Sequence, residues 1–258
     1  MSETLKAVAI KSISLLDLTN LNDDCTNQDI DELCTKAQTQ FGNTAAICIW
    51  PRFVTYAKPL LAGTGIQIAT VVNFPSGGVD TDSVEIETHN AIDAGADEID
   101  LVFPYEAFLA GDIDTAQDQI VRIKAVCGRD TLLKVIIETG ELKTDEAITS
   151  ASHLAIENGT NFIKTSTGKV AVNATLHSAK LMMQAIADSK NATNTKVGFK
   201  PAGGLKTTQD AADYLALAEE ILGKDWANPN TLRFGASSIL ANLLATLKDE
   251  DSQKTSGY

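Results

Sequence analysis

Five ionisable side chains lie on stretches of the chain that are otherwise apolar: Asp17, Asp100, Lys134, Lys164 and Lys200. Their immediate neighbours are hydrophobic, as with Leu16 and Leu18 beside Asp17, Ile99, Leu101 and Phe103 around Asp100, and Leu133, Val135 and Ile137 around Lys134. Ile163 stands before Lys164, and Val197 and Phe199 before Lys200. Strand side chains alternate between two faces, so the apolar set points one way and the charged set the other. A buried charge costs several kcal/mol unless it is paired, and five converging on one interior therefore point to chemistry.

That chemistry is a lysine working as a free amine. An ordinary lysine titrates near ~10.4 and is almost wholly protonated at neutral pH. Lys164 and Lys200 both end their apolar runs, which brings them to the same end of a sheet as near neighbours. Two ammonium groups about 5 Å apart, at an effective dielectric of about 20, repel by roughly 3 kcal/mol, enough to lower one pKa by about 2. Desolvation acts in the same direction. A lysine titrating near ~7 is half free amine and can attack a carbonyl to form a Schiff base. A charged neighbour and Asp100 are then placed to move the protons that carbinolamine formation and carbon–carbon cleavage require. Periodicity does not rank Lys164 above Lys200.

A second group of residues suits phosphate. After Lys200 comes PAGGLK (201–206), with Gly203, Gly204 and Lys206, and near the end of the chain GASS (235–238), with Gly235, Ser237 and Ser238, leads into a helical segment. Glycines let backbone N–H groups approach an anion, and a helix N-terminus adds a partial positive charge. Gly168 and Lys169 add a third segment. They are not part of a Walker A loop, because Ile163 and Val170 stand where that motif needs Gly and Ser or Thr. No GxGxxG occurs, and His89, His153 and His177 lie singly in helical segments without zinc-ligand spacing. Cys48 faces inward on its strand and reads as core filler.

The elements that must carry these residues alternate. Eight short runs read as strands (16–19, 45–50, 67–73, 98–103, 132–138, 162–166, 196–200 and 232–235). Between and after them, segments 27–40, 80–94, 112–126, 144–158, 175–188, 207–222 and 236–247 are long enough for crossover helices. The helical segments ahead of strands 4 and 6 both end on Gly, Gly95 and Gly159, a left-handed stop. Eight such units in 258 residues, with no long linker, predict an α/β fold, a single (β/α)8 TIM barrel spanning 1–258. Lys164 and Lys200 then lie toward the carboxyl face, and the glycine segments form the loops after strands 7 and 8 where barrels often bind phosphate. An extra N-terminal helix over 3–15 precedes the first strand, and the polar residues 249–258 are expected to form a mobile tail.

Composition narrows the partners. The chain is 44% hydrophobic and 21% charged, and 21 Lys and Arg stand against 34 Asp and Glu, a net charge of −13 that disfavours nucleic acid and anionic membranes. Neither a signal peptide nor a membrane span is expected. The four cysteines, Cys25, Cys34, Cys48 and Cys127, form no CxxC pair and read as buried thiols in a reducing cytoplasm.

Four motifs, KVIIETGEL (134–142), FIKTSTGK (162–169), VGFKPAGG (197–204) and FGASS (234–238), resemble the deoxyribose-phosphate aldolase family in its short, enterobacterial-like type. The likeness extends to LDLTNLNDD (16–24), GNTAAIC (42–48), NFPSG (73–77) and DEIDLVFPY (97–105), and so spans essentially the whole chain. It implies a class I aldolase that reversibly cleaves 2-deoxy-D-ribose 5-phosphate to D-glyceraldehyde 3-phosphate and acetaldehyde in deoxyribonucleoside catabolism, with no metal or organic cofactor. By the same resemblance Lys164 forms the Schiff base, Lys200 perturbs it and shares proton transfer, Asp100 is an acid/base, and the C-terminal Tyr258 assists proton transfer. Asp17, Thr19, Lys134 and Thr167, within these motifs, join the substrate contacts. A homodimer is also implied. One departure is Leu205-Lys206 where the family often has Val-Arg, which keeps a cation for phosphate but loses the guanidinium fork. The competing readings are another Schiff-base aldolase or transaldolase with a different donor, and a sugar-phosphate binding protein without catalysis.

Overall fold

A computed structural model describes residues 3–193 and 196–249. Eight parallel strands form one sheet in chain order: β1 (Leu16–Asn20), β2 (Ala46–Ile49), β3 (Gln67–Val72), β4 (Glu98–Val102), β5 (Leu132–Ile136), β6 (Phe162–Lys164), β7 (Gly198–Lys200) and β8 (Phe234–Ala236). β8 pairs with β1 through Leu16 opposite Phe234 and Asp17 opposite Gly235. Between β7 and β8 the ladder is reduced to two bridges, Phe199 with Leu232 and Ala202 with Gly235. Four backbone bonds carry them: Phe199 N–H to Thr231 O, Arg233 N–H to Phe199 O, Gly235 N–H to Pro201 O and Gly203 N–H to Gly235 O. They close the sheet into a (β/α)8 barrel, as the alternation of units predicts.

The apolar sets identified on the strands face outward. Leu16, Leu18, Ile99, Leu101, Phe103, Leu133, Val135, Ile137, Ile163, Val197 and Phe199 all join the main core between barrel and helices. That layer is built with α1 (Glu3–Ser14), α2 (Asn27–Lys36), α3 (Val54–Leu60), α4 (Thr81–Asp93), α5 (Ile113–Cys127), α6 (Asp145–Glu157), α7 (Leu176–Thr193), α8 (Thr208–Leu222) and α9 (Ile239–Leu247). The extra helix α1 buries Ala9 and Ile13 and packs against α8 and α9. Gly95 and Gly159 adopt the left-handed φ values of +106° and +86° that stop α4 and α6 before their strands. Of the expected tail, Asp249 pairs with Lys6 at 2.6 Å, and 250–258 lie outside the described residues.

Several boundaries differ from the sequence reading. α2 ends at Lys36, and a two-residue hairpin, Gln38–Thr39 with Gly42–Asn43, takes the rest of the expected segment. α3, which carries Pro59, follows a turn of 3-10 helix at Pro51–Phe53 and escaped the periodicity count. β5 stops at Ile136, because Glu138 turns to φ +53° and starts a short helix, Thr139–Leu142. Ala236 belongs to β8, so the last helix opens only after Ser238. Among the described residues no helix is long and apolar enough to cross a membrane.

Candidate active site

Alternation brings Asp17 from β1, Asp100 from β4, Lys134 from β5, Lys164 from β6 and Lys200 from β7 into the barrel interior, all buried. Two further charges join them: Glu98, two residues before Asp100 on the same face of β4, and Arg233, just before β8. Both were legible as inward positions by the same period of two.

Six of these seven form a closed ring of alternating sign. Arg233 pairs with Asp17 at 2.7 Å and with Glu98 at 2.7 Å. Glu98 meets Lys134 at 2.6 Å, and Lys134 meets Asp100 at 2.7 Å. Asp100 meets Lys200 at 2.8 Å, and Lys200 returns to Asp17 at 2.5 Å. Each member touches at least two of opposite sign, and Lys134 also meets Asp17 across the ring at 3.5 Å, so the desolvation of each charge is offset on both sides. Lys164 stands outside the ring and bonds Asp100 Oδ2 at 2.7 Å, the oxygen that Lys200 also uses.

The electrostatics follow that arrangement. Burial pushes the Lys200 ammonium toward neutrality, but Asp100 and Asp17 outweigh it and hold its pKa well above the ordinary lysine value. Lys134 is likewise raised, against burial, by Asp100 and Glu98. Burial opposes ionisation of Asp100, yet Lys134, Lys164 and Lys200 hold its pKa well below the usual carboxylate range; Lys200, Arg233 and Lys134 do the same for Asp17. Lys164 alone among these lysines is lowered: burial is the main cause, Lys200 adds to it, and one carboxylate, Asp100, does not compensate. The sequence argument rested chiefly on repulsion between the two lysines; in the structure desolvation leads and repulsion is the smaller contribution.

The opposite sector of the interior is apolar. Ala46, Cys48, Ala69 and Val71 form a separate cluster with Leu21, flanked by Trp50 and Phe74. Cys48 faces the lysines as expected, and burial raises its pKa, so it stays a thiol. A residue that sequence reasoning passed over is Glu138, fully buried, whose two carboxyl oxygens both accept from the Thr167 N–H at 3.3 Å. Burial raises its pKa as well.

At the carboxyl rim the three loops meet. Gly203 and Gly204 take φ +78° and +88°, and a side chain at Gly203 would strike Asn173 of the loop after β6 at 2.7 Å. The N–H groups of Gly168, Gly204, Ser237 and Ser238 donate to no described residue. Ser238 occupies the N-cap of α9 without capping it through its side chain, leaving the helix N-terminus open to an anion. Lys206 is exposed at the start of α8, where its N–H and that of Thr207 donate to Asp210 in a capping box.

Other members of the expected binding set have their groups engaged within the protein. Gly235 donates its N–H to Pro201, and a Cβ there would lie 2.9 Å from Ala202 Cβ and 3.0 Å from Lys200 Cε; it makes room for the Lys200 stem. Lys169 reaches across the mouth to Leu21 O at 2.8 Å, and its N–H donates to Thr167 Oγ1. Thr19, half-buried, donates to Asp17 O. Lys134 is level with Asp100 in the sheet, whereas Lys164 is level with Ile136, one inward step nearer the rim. Asp17 and Lys134 are both members of the ring. Tyr258 lies outside the described residues. His89, His153 and His177 sit on α4, α6 and α7, and among the described residues no group of three His, Cys, Asp or Glu is arranged to hold a metal ion.

Comparison with known proteins matches residues 11–245 to the DeoC/LacD family of aldolases. A deoxyribose-phosphate aldolase of Agrobacterium fabrum (strain C58 / ATCC 33970) is 55% identical over 255 residues, covering 98% of this chain and 97% of that one. Among solved structures, an apo-form protein from Toxoplasma gondii ME49 superposes with a TM-score of 0.88 at 24% identity, covering 97% of this chain and all of the other. A tetrameric deoxyribose phosphate aldolase from Aeropyrum pernix gives a TM-score of 0.74 at 20% identity, over 95% and 98% of the two chains. At these identities the two structures speak to the fold alone.

Proposed function

This chain belongs to the DeoC/LacD aldolase family, and from that premise we propose that it is a class I aldolase cleaving 2-deoxy-D-ribose 5-phosphate reversibly to D-glyceraldehyde 3-phosphate and acetaldehyde, with Lys164 as nucleophile. The observation that carries the residue assignment is the place of Lys164 outside the charge ring, with a lowered pKa, beside a Lys200 held charged.

In the cleavage direction Lys164 Nζ adds to the C1 aldehyde of the open-chain sugar, and water leaves to give a protonated imine. The C3 hydroxyl then loses its proton, the C2–C3 bond breaks, and its electrons flow into the imine. D-glyceraldehyde 3-phosphate departs and leaves an enamine on Lys164. A proton returns to C2, and hydrolysis of the imine releases acetaldehyde and the free amine. Asp100, hydrogen-bonded to both Lys164 and Lys200, is the group through which these protons pass, and Lys200 keeps the site cationic throughout. Tyr258 carries the assisting role that the family resemblance gives it.

The phosphate is taken by the unengaged N–H groups of Gly204, Ser237 and Ser238 at the α9 N-terminus, with Gly168 across the rim and Lys206 as the cation. Lys for Arg at that position supplies a point charge without a bidentate fork. Four buried free thiols, two of them, Cys34 and Cys127, raised to about 11 by burial, support a reducing cytoplasm as the compartment and deoxyribonucleoside catabolism as the setting. The homodimer implied by resemblance is read by sedimentation equilibrium.

The test is borohydride reduction in the presence of deoxyribose 5-phosphate, followed by peptide mass mapping. The expected result is one adduct, on Lys164. An adduct on Lys200 reverses the two lysine roles, and a folded protein with no adduct supports a sugar-phosphate binding barrel instead.

A further inference from the structure

The amino-terminal end of the barrel interior holds two charged side chains that have no part in the cleavage steps. Glu98 opens β4, and Arg233 stands immediately before β8. They are 1% and 3% exposed and joined at 2.7 Å, with Arg233 also against the face of Phe162. Burying two charges and their partners is costly, and hydrophobic residues of similar volume would pack such a site at least as stably. Their retention calls for a reason besides stability.

We propose that Glu98 and Arg233 are positioning residues that set the charge balance of the barrel interior, so that Lys164 is the side chain left to work as a free amine. The inference rests on Lys164 being the imine-forming lysine. With both present, Lys134, Lys200 and Arg233 match Asp17, Glu98 and Asp100 one for one, and each cation contacts at least two carboxylates. A proton on Lys164 is then a fourth positive charge among three negative ones.

The remaining groups around Lys164 are the same in native protein and in every variant, so they do not alter the comparison. From β2 comes the Cys48 thiol, from β3 only Ala69 and Val71, and from beyond β5 the Glu138 carboxyl. Burial favours the neutral form of both Cys48 and Glu138. Deleting Arg233 would leave three cations for three anions and make room for a proton on Lys164. Deleting the Glu98 charge would leave four cations to two anions and drive that proton off. Deleting both charges together leaves the balance as it was.

The experiment follows the pH dependence of adduct formation on the Lys164 peptide, trapped with deoxyribose 5-phosphate and cyanoborohydride, in native protein, Glu98→Gln, Arg233→Met and the double variant. A unit charge ~10 Å away at an effective dielectric of about 20 moves an ionisation by about one pH unit. The Glu98→Gln midpoint is expected about one unit lower, the Arg233→Met midpoint about one unit higher, and the double variant within a few tenths of native. A merely structural pair would weaken all three variants without this order. Midpoints that do not move, or that move in the same direction in both single variants, overturn the inference while leaving Lys164 as the nucleophile. An adduct on Lys200 in native protein overturns the assignment on which it rests. If Arg233→Met does not fold, Glu98→Gln, which keeps the carboxylate's shape, decides by itself: a lower midpoint supports the inference and an unchanged or higher one overturns it.

Discussion

Lys164 and Lys200 stand level on neighbouring strands and donate to the same atom, Oδ2 of Asp100, at 2.7 and 2.8 Å. Two lysines sharing one carboxylate oxygen are not equivalent, because Lys200 has Asp17 as a second partner and Lys164 has none. The Lys200 pKa is accordingly held up by two carboxylates, while that of Lys164, with one, is lowered.

Lys164→Met is expected to abolish cleavage, with kcat down by more than about a thousandfold, since no neighbouring lysine has a lowered pKa to replace it. The fold should not suffer. Removing the one ammonium that the ring does not need, with a side chain that fills the space, should leave Tm unchanged or higher. Steady-state kinetics beside a thermal melt checks both halves, and retained activity would reject the Schiff-base assignment.

Lys200→Met removes the repulsion on Lys164 and frees Asp100 Oδ2 to hold its ammonium, and both changes raise the Lys164 pKa. The acid limb of the kcat/KM profile should move upward by about 2 pH units, so that the rate at pH 7 falls far more than the rate at pH 9. A profile of unchanged shape, merely scaled down, contradicts the coupling.

Asp17 and Asp100 give the stability a defined acid dependence. Both have folded pKa values below the ordinary 3.8. On unfolding they bind protons that the folded ring refuses, so the unfolded state holds more protons and stability falls as pH drops below 3.8 toward the folded values. Above that range the contribution is fully present. Asp100→Asn, which takes one carboxylate from each of three lysines and leaves Lys164 with none, should cost about 3–5 kcal/mol at pH 7 and show a shallower decline in acid. Urea midpoints measured from pH 7 to pH 3 decide this.

Ser238→Asp separates phosphate binding from stability. Asp is a good N-cap and its charge suits a helix N-terminus, so α9 should be unharmed or slightly strengthened. The same charge repels phosphate: KM for deoxyribose 5-phosphate should rise by about tenfold or more while the kinetics of free deoxyribose hardly change. Equal effects on the two sugars would remove Ser238 from the phosphate site.

Much of this was written in the sequence because strand alternation is local. A period of two around Ile99, Leu101 and Phe103 sends Asp100 inward wherever the strand lies, and eight such runs with intervening helices leave the barrel as the natural closure. The same period applies to Glu98 and Arg233, which the sequence reading did not single out, and nothing local says that they meet each other, 135 residues apart, or that they complete a ring. Glu138 was hidden for a different reason, since its left-handed backbone ends the strand on which periodicity would have placed it. Gly235, in a motif that suits phosphate, has its N–H bonded across the β7–β8 closure. Tertiary structure alone set the two lysines apart, with the Lys164 pKa lowered and the Lys200 pKa raised. A side chain's direction depends on its neighbours in the chain, whereas its charge depends on every group that folding brings around it, and for Lys164 those are desolvation, one shared carboxylate and a cation level with it on the next strand.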